Sequence, residues 1–209
     1  MNDDLNHRTK KDVVNVYNES LIRGQVYKDV LSKKELWEKL SELYNGKLSI
    51  KQTISKDISS FKLEIPYKDS FLILTESDTK PLKLEIELKL NRNFEFNISW
   101  EDSMERILKL FGKQDIQIGD KAFDKKYLIQ SNDPELISKL LTSGQIKQVM
   151  LKHNIYLFNL EYSRKNESHK LLTVKDRNTN ELELLIELIE FEFAIIEFFE
   201  NKRIMRSRI

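Results

Sequence analysis

At 209 residues, with 40% hydrophobic and 33% charged side chains, the chain is long enough for one large domain or two small ones, and its 11 Phe, 7 Tyr and 2 Trp exclude a disordered polymer. Lys and Arg (35) nearly balance Asp and Glu (34), so there is no whole-molecule field to gather anions or cations, which argues against nucleic acid as a partner. The absence of Cys excludes disulfides, thiolate metal sites and a Cys nucleophile, and makes the cytoplasm the expected compartment.

Residues 1–11 read as a flexible tail, polar and mixed in charge, without the apolar stretch and small-residue cleavage site of an export signal. Val13, Val14, Val16, Tyr17, Leu21 and Ile22 then suggest an amphipathic segment that Gly24 ends. Ser32 is expected to cap a helix from Lys33 to Asn45, with Glu35 completing a capping box and Gly46 as the left-handed stop. Leu36, Trp37, Leu40, Leu43 and Tyr44 form its apolar face.

From Lys47 to Trp100 the apolar period becomes two: Leu48 and Ile50, then Phe61, Leu63 and Ile65, then Phe71 and Ile73, then Leu82 to Leu90 at every second residue, then Phe94, Phe96 and Ile98. This predicts an antiparallel meander of four or five strands with one face wet. Trp100 to Phe111 returns to helical spacing. Ile116 and Ile118 suggest a brief strand, Tyr127 to Gln130 another, and Asp133-Pro134 starts a helix whose buried face is Leu136, Ile137, Leu140 and Leu141. After Gly144 a short helix runs to Lys152, followed by strands at Ile155–Tyr162 and Lys170–Lys175.

The final helix, about Glu181 to Arg203, is apolar around most of its circumference and needs contact on two sides. Glu183, Glu187, Glu190, Glu192 and Glu197 interrupt its apolar run, and an acidic side chain at a bilayer centre costs a few kcal/mol, so it is not expected to span a membrane. The pattern as a whole predicts an α+β fold, antiparallel β-sheets packed against helices and a long C-terminal helix. Two similar subdomains are expected, at residues 12–111 and 112–209, the second carrying the terminal helix.

The most distinctive stretch is Gly119, Asp120, Phe123, Asp124 and Tyr127, then Ser131 and Asp133, then the Leu140-Leu141 pair. It resembles a segment, G-D-x-x-F-D-x-x-F/Y followed by a strand, S-x-D and a helix ending in two Leu, that recurs in uncharacterised bacterial proteins of unknown function. The resemblance covers residues 112–142, implies a bacterial origin and a shared fold element, and carries no mechanism. Some proteins of that group are membrane-anchored, and this chain differs from them in lacking a spanning segment.

Asp120 and Asp124 could bring two carboxylates together, as a weak hydrolytic site or a metal-dependent one would require. The alternative is that Gly119-Asp120 makes a turn, Phe123 plugs the core, and Asp124 and Asp133 accept hydrogen bonds from backbone amides. His7, His153 and His169 show no i+2 or i+4 pairing, His153 following a helix end and His169 reading as part of a polar hairpin loop. No nucleophile elbow and no phosphate-cradling Gly loop is present, and no catalytic residue, cofactor or metal ligand is assigned.

Phe191, Phe193, Phe198 and Phe199 form the strongest interaction candidate, because such a helix either crosses a sheet or meets a partner. The basic tail from Lys202 to Arg208, with Ile204, Met205 and Ile209 interleaved, could touch an anionic surface. The expected function is that of a non-enzymatic interaction or scaffold module, engaging a protein partner or a second copy of itself through the C-terminal helix.

Overall fold

The computed structural model describes residues 26–53, 58–100, 115–176 and 179–205. The segment expected at Val13–Ile22, the helix expected from Trp100 to Phe111, His7, Arg206 and Arg208 lie outside these residues, as does the expected subdomain junction. Helix α1, Val26–Leu43, begins earlier than expected, so Ser32 sits inside it and is not its N-cap. Residues 26–31 contain no Gly or Pro, and one interior Ser costs less than the amides orphaned by a new helix start.

The stop of α1 also differs from expectation. Asn45, with φ +49°, takes the left-handed position, and Gly46 follows it, donating its N–H to Ser41 O at 2.8 Å. Gly46 is required for space: a Cβ there would lie 2.8 Å from Leu63 Cδ1 and 3.1 Å from Glu64 O. The absent side chain lets the helix end turn directly onto the sheet.

Eight strands form one antiparallel sheet in the order β1-β2-β3-β4-β8-β7-β5-β6. Its strands are β1 (Lys47–Thr53), β2 (Ile58–Tyr67), β3 (Ser70–Ser77), β4 (Lys80–Leu88), β5 (Phe96–Trp100), β6 (Tyr127–Ser131), β7 (Ile155–Ser163) and β8 (Ser168–Lys175). The meander ends at β4, which pairs with β8; β5 crosses over to lie between β7 and β6.

In β3 the buried phase is opposite to the one expected. Leu72 and Leu74 face the core opposite Ile65 and Leu63, while Phe71 is 56% exposed and Ile73 half-buried. The run Phe71-Leu72-Ile73-Leu74 is apolar in both phases, so alternation could not choose, and register with β2 does. Ile116 and Ile118 form no strand. Instead, the Ile116 N–H donates to Ile129 O at 2.9 Å and Asp115 accepts from the Ile129 N–H at 3.1 Å, covering the outer edge of β6.

One face of the sheet carries the helices. These are α1, α2 (Lys121–Lys126), α3 (Pro134–Thr142), α4 (Ile146–Lys152) and α5 (Leu182–Asn201). Neighbouring contacts run α1 to α5, α5 to α4 and α4 to α3. Helix α5 crosses the middle of the sheet, where Phe191 meets Phe158 at 5.3 Å between ring centroids and Phe199 meets Phe94 at 6.0 Å.

The opposite face is not uniform. Across β1 to β4 it is mostly polar, with Phe71 and Ile73 of β3 as its apolar exceptions, but Gln130, Asn97 and Asn159, side by side in register on β6, β5 and β7, are buried there with Ser99.

Leu74→Ala should lower the unfolding free energy by about 2–5 kcal/mol, whereas Phe71→Ala should change it by less than about 0.5 kcal/mol. Denaturant titration of the two variants checks the phase of β3. Equal losses, or the larger loss at Phe71, would contradict it.

Candidate functional site

The segment around Asp120 and Asp124 folds back on itself. Asp120 is the N-cap of α2, its Oδ1 accepting from the N–H groups of Ala122 (3.2 Å) and Phe123 (3.3 Å). Its Oδ2 accepts from Lys147 Nζ of α4 at 2.8 Å. That hydrogen bond, and then the Phe123 amide, hold its carboxyl below the usual range. Asp124 accepts from Ile118 N–H at 3.0 Å and Gly119 N–H at 2.9 Å, while Gly119 takes φ +80°. All four carboxylate oxygens are engaged by main-chain amides or by Lys147.

Phe123 is fully buried and stacks on Tyr127, whose hydroxyl donates to Met150 O at 2.9 Å. Asp133 caps α3 through the Leu136 N–H at 3.0 Å and pairs with Arg92. Asp120, Tyr127 and Asp133 therefore fasten neighbouring elements together, and Asp124 fixes the turn that leads into α2. Among the described residues no group of three or more His, Asp or Glu could hold a metal ion.

The four Phe of α5 lie in different surroundings. Phe199 is fully buried, Phe193 stacks on Tyr67 at 3.9 Å between centroids, and Phe191 packs on Phe158. Phe191 and Phe198 also reach the surface at the floor of an open groove of about 1060 Å³ between α5 and the α3–α4 pair. Ile146, Val149 and Ile186 complete its apolar floor, and Ala194 leaves its α5 wall low.

The groove is closed at one end by Glu187, which binds Lys152 Nζ at 2.7 Å and lies 2.6 Å from His153 Nε2. These two partners, Lys152 first, hold the Glu187 carboxyl below its ordinary range. At the other end Lys202 stands over the Phe198 ring at 5.8 Å. Glu190, whose Oε1 accepts from the Tyr44 hydroxyl at 3.0 Å, and Glu197 stand along α5 two turns apart. Of the basic tail, Ile204 is buried and Met205 bridges to Leu90, so two of its apolar residues belong to the core.

Three buried polar groups escaped the sequence reading. Glu192 of α5 is fully buried without a hydrogen bond to either oxygen, with Thr173 of β8 as the polar group acting on it. His169 is within β8 and buried, its ring 5.0 Å from that of Tyr162; the expected hairpin loop ends just before it. Burial lowers its pKa, and Glu95 partly offsets this. Glu76 faces inward on β3, bound by Lys33 Nζ at 2.7 Å and by the Thr179 hydroxyl at 2.5 Å, which ties α1 and the approach to α5 onto the sheet. Only inward register distinguishes these residues from ordinary surface Glu and His, so spacing alone offered no signal.

No family model matches the chain, and no curated protein matches it in sequence. Among solved structures, the crystal structure of the mycobacterial trehalose monomycolate transport factor A, TtfA, is similar at 9% identity, over 82% of this chain and 95% of that one, with a TM-score of 0.48. A likeness of that size carries no functional argument. Among the described residues no helix is long and apolar enough to cross a membrane.

Burial pushes the Glu192 carboxyl up to about 8 from an ordinary 4.5. The unfolded chain therefore releases this proton first as pH rises, and stability falls between about pH 4.5 and 8, then levels off. Glu192→Gln removes the titration. Its thermal midpoint should come close to the wild type's at pH 4 and exceed it by several degrees at pH 8, at about 2–4 °C per kcal/mol for a chain of this size. Parallel midpoints across that range would contradict the assignment.

Proposed function

We propose that this chain is a non-enzymatic, soluble binding module of the bacterial cytoplasm, which holds an amphipathic helix of a protein partner in the groove between α4 and α5. The groove itself carries this reading: an apolar floor of Ile146, Val149, Ile186 and Phe198 is open along two antiparallel helices. A third helix laid there would cover those side chains, the usual way that helical partners dock. Glu190 and Glu197 along α5 would meet basic residues seven apart on that helix. The bacterial and cytoplasmic parts of the reading are supported by the Asp120–Asp124 segment resemblance and by the lack of Cys.

Helix α5 supplies nine buried residues to the core, so point variants and not truncation test the groove. A synthetic 20-residue peptide with a Leu face and Lys at positions seven apart should perturb backbone amide resonances of α4 and α5. Ala194→Arg, at an exposed position, should weaken that binding by at least about tenfold with the thermal midpoint unchanged. A peptide that leaves the α4 and α5 resonances unmoved, or binding indifferent to Ala194→Arg, would count against the reading. A dimeric mass by light scattering that Ala194→Arg abolishes would assign the groove to a second copy of the chain.

A further inference from the structure

The face of β1 to β4 turned away from the helices forms a trough of about 690 Å³. Strand register places its lining: Lys47, Ser49 and Lys51 on β1 stand opposite Glu64, Lys62 and Ser60 on β2, and Thr75 on β3 stands opposite Lys83 on β4. Lys80 closes the end beside Ser77. Ser60, Ser77, Ser49 and Thr75 therefore lie in the trough around Lys62, and Lys47, Lys51, Lys80 and Lys83 stand on its outer strands β1 and β4.

The charges there do not cancel: five lysines share the lining with three glutamates. Elsewhere on the described surface Lys34, Lys68, Arg92, Lys139, Lys147 and Lys152 each hold a carboxylate, while other exposed lysines such as Lys39 and Lys125 stand singly and are not gathered in a concavity. In the trough, Glu64 is held by Lys62 at 2.6 Å and Glu85 by Lys170 at 2.7 Å, and Glu76 is turned inward to Lys33. Lys47, Lys51, Lys80 and Lys83 make no ion pair with a described carboxylate. A net charge of only +1 thus hides a local excess of cations on one concave face.

We infer that this trough binds an extended acidic segment of a polypeptide, at a site independent of the groove beside α5. The dimensions suit one. Lys47 and Lys51 are about 13 Å apart along β1, and β1 and β4 are about 14 Å apart across the sheet, the reach of four or five extended residues. Carboxylates would meet the outer lysines while backbone and side-chain oxygens accept from Ser49, Ser60 and Thr75. A nucleic-acid strand would call for Arg forks and stacking rings, and the only cations in the lining are lysines. An anionic bilayer would be repelled by Glu64 and Glu85 within a concave lining, whereas an extended chain can place its carboxylates on the lysines and its amides near the glutamates.

A 12-residue peptide of alternating Glu and Ser, titrated calorimetrically into the full chain at 20 and 200 mM salt, tests this. Binding should weaken strongly at the higher salt and map by amide shifts to β1 through β4. Lys47→Glu/Lys83→Glu should reduce affinity by at least about tenfold, and Lys139→Glu, at the other site, should leave it unchanged. If the double variant does not fold, Lys51→Glu alone should give a smaller loss in the same direction. No heat at 20 mM salt, binding indifferent to these reversals, or tighter binding of oligo-dT or phosphatidylserine vesicles to the same face would overturn the proposal. Failure of this titration leaves the helical peptide's binding at α4 and α5 unaffected, so the two readings fall separately.

Discussion

Burial of α5 against the middle of the sheet is the constraint on which the remaining structure depends. Leu185, Leu188, Ile189, Phe191, Ile195, Ile196, Phe198 and Phe199 leave water together, with a gross transfer gain on the order of 15 kcal/mol. The β4 to β8 pairing joins the β1–β4 meander to β5–β8 and so places both halves of the sheet beneath one helix. The same contact carries Glu192 inward, and its suppressed ionisation costs far less than the surrounding apolar burial contributes.

Two open surfaces follow from that arrangement. Because α5 needs the sheet on one side and leaves its crest outward, the gap to α4 remains a groove, floored by residues that also belong to the core. Since all described helices lie on one face, no described helix covers the far side of β1 to β4, which keeps its lysines. The first surface suits an apolar, basic helix and the second an acidic extended segment. A scaffold that brings two unlike segments together would need such a pair of sites, on rigid elements and not on loops.

The antiparallel α+β class, the long final helix, the cap at Asp133 and most strand positions were legible in periodicity, because each rests on local pattern. Failures came where local pattern is degenerate. Phe71 to Leu74 is apolar in both phases, so only pairing with β2 decides; Ser32 looks like a cap because Val, Tyr and Asp among the residues before it are weak helix formers. The order of β5 among β6, β7 and β8 is a long-range matter that no window can display. The candidate surfaces were half legible: the Phe group on α5 pointed to the groove's floor, but the trough assembles lysines from three strands, each ordinary in its own stretch. Asp120 and Asp124 stood out because turns and caps use the same residue types as catalysis does.

Native-state hydrogen exchange tests the central claim most directly. If α5 is the layer that holds the sheet together, amides in its middle turns, around Leu188 to Ile196, should exchange only through global unfolding, with the same free energy and denaturant dependence as those of β4 and β8. Exchange of α5 by a separate, lower-energy opening while β4 and β8 stay protected would show that the sheet stands without it, and would contradict this account.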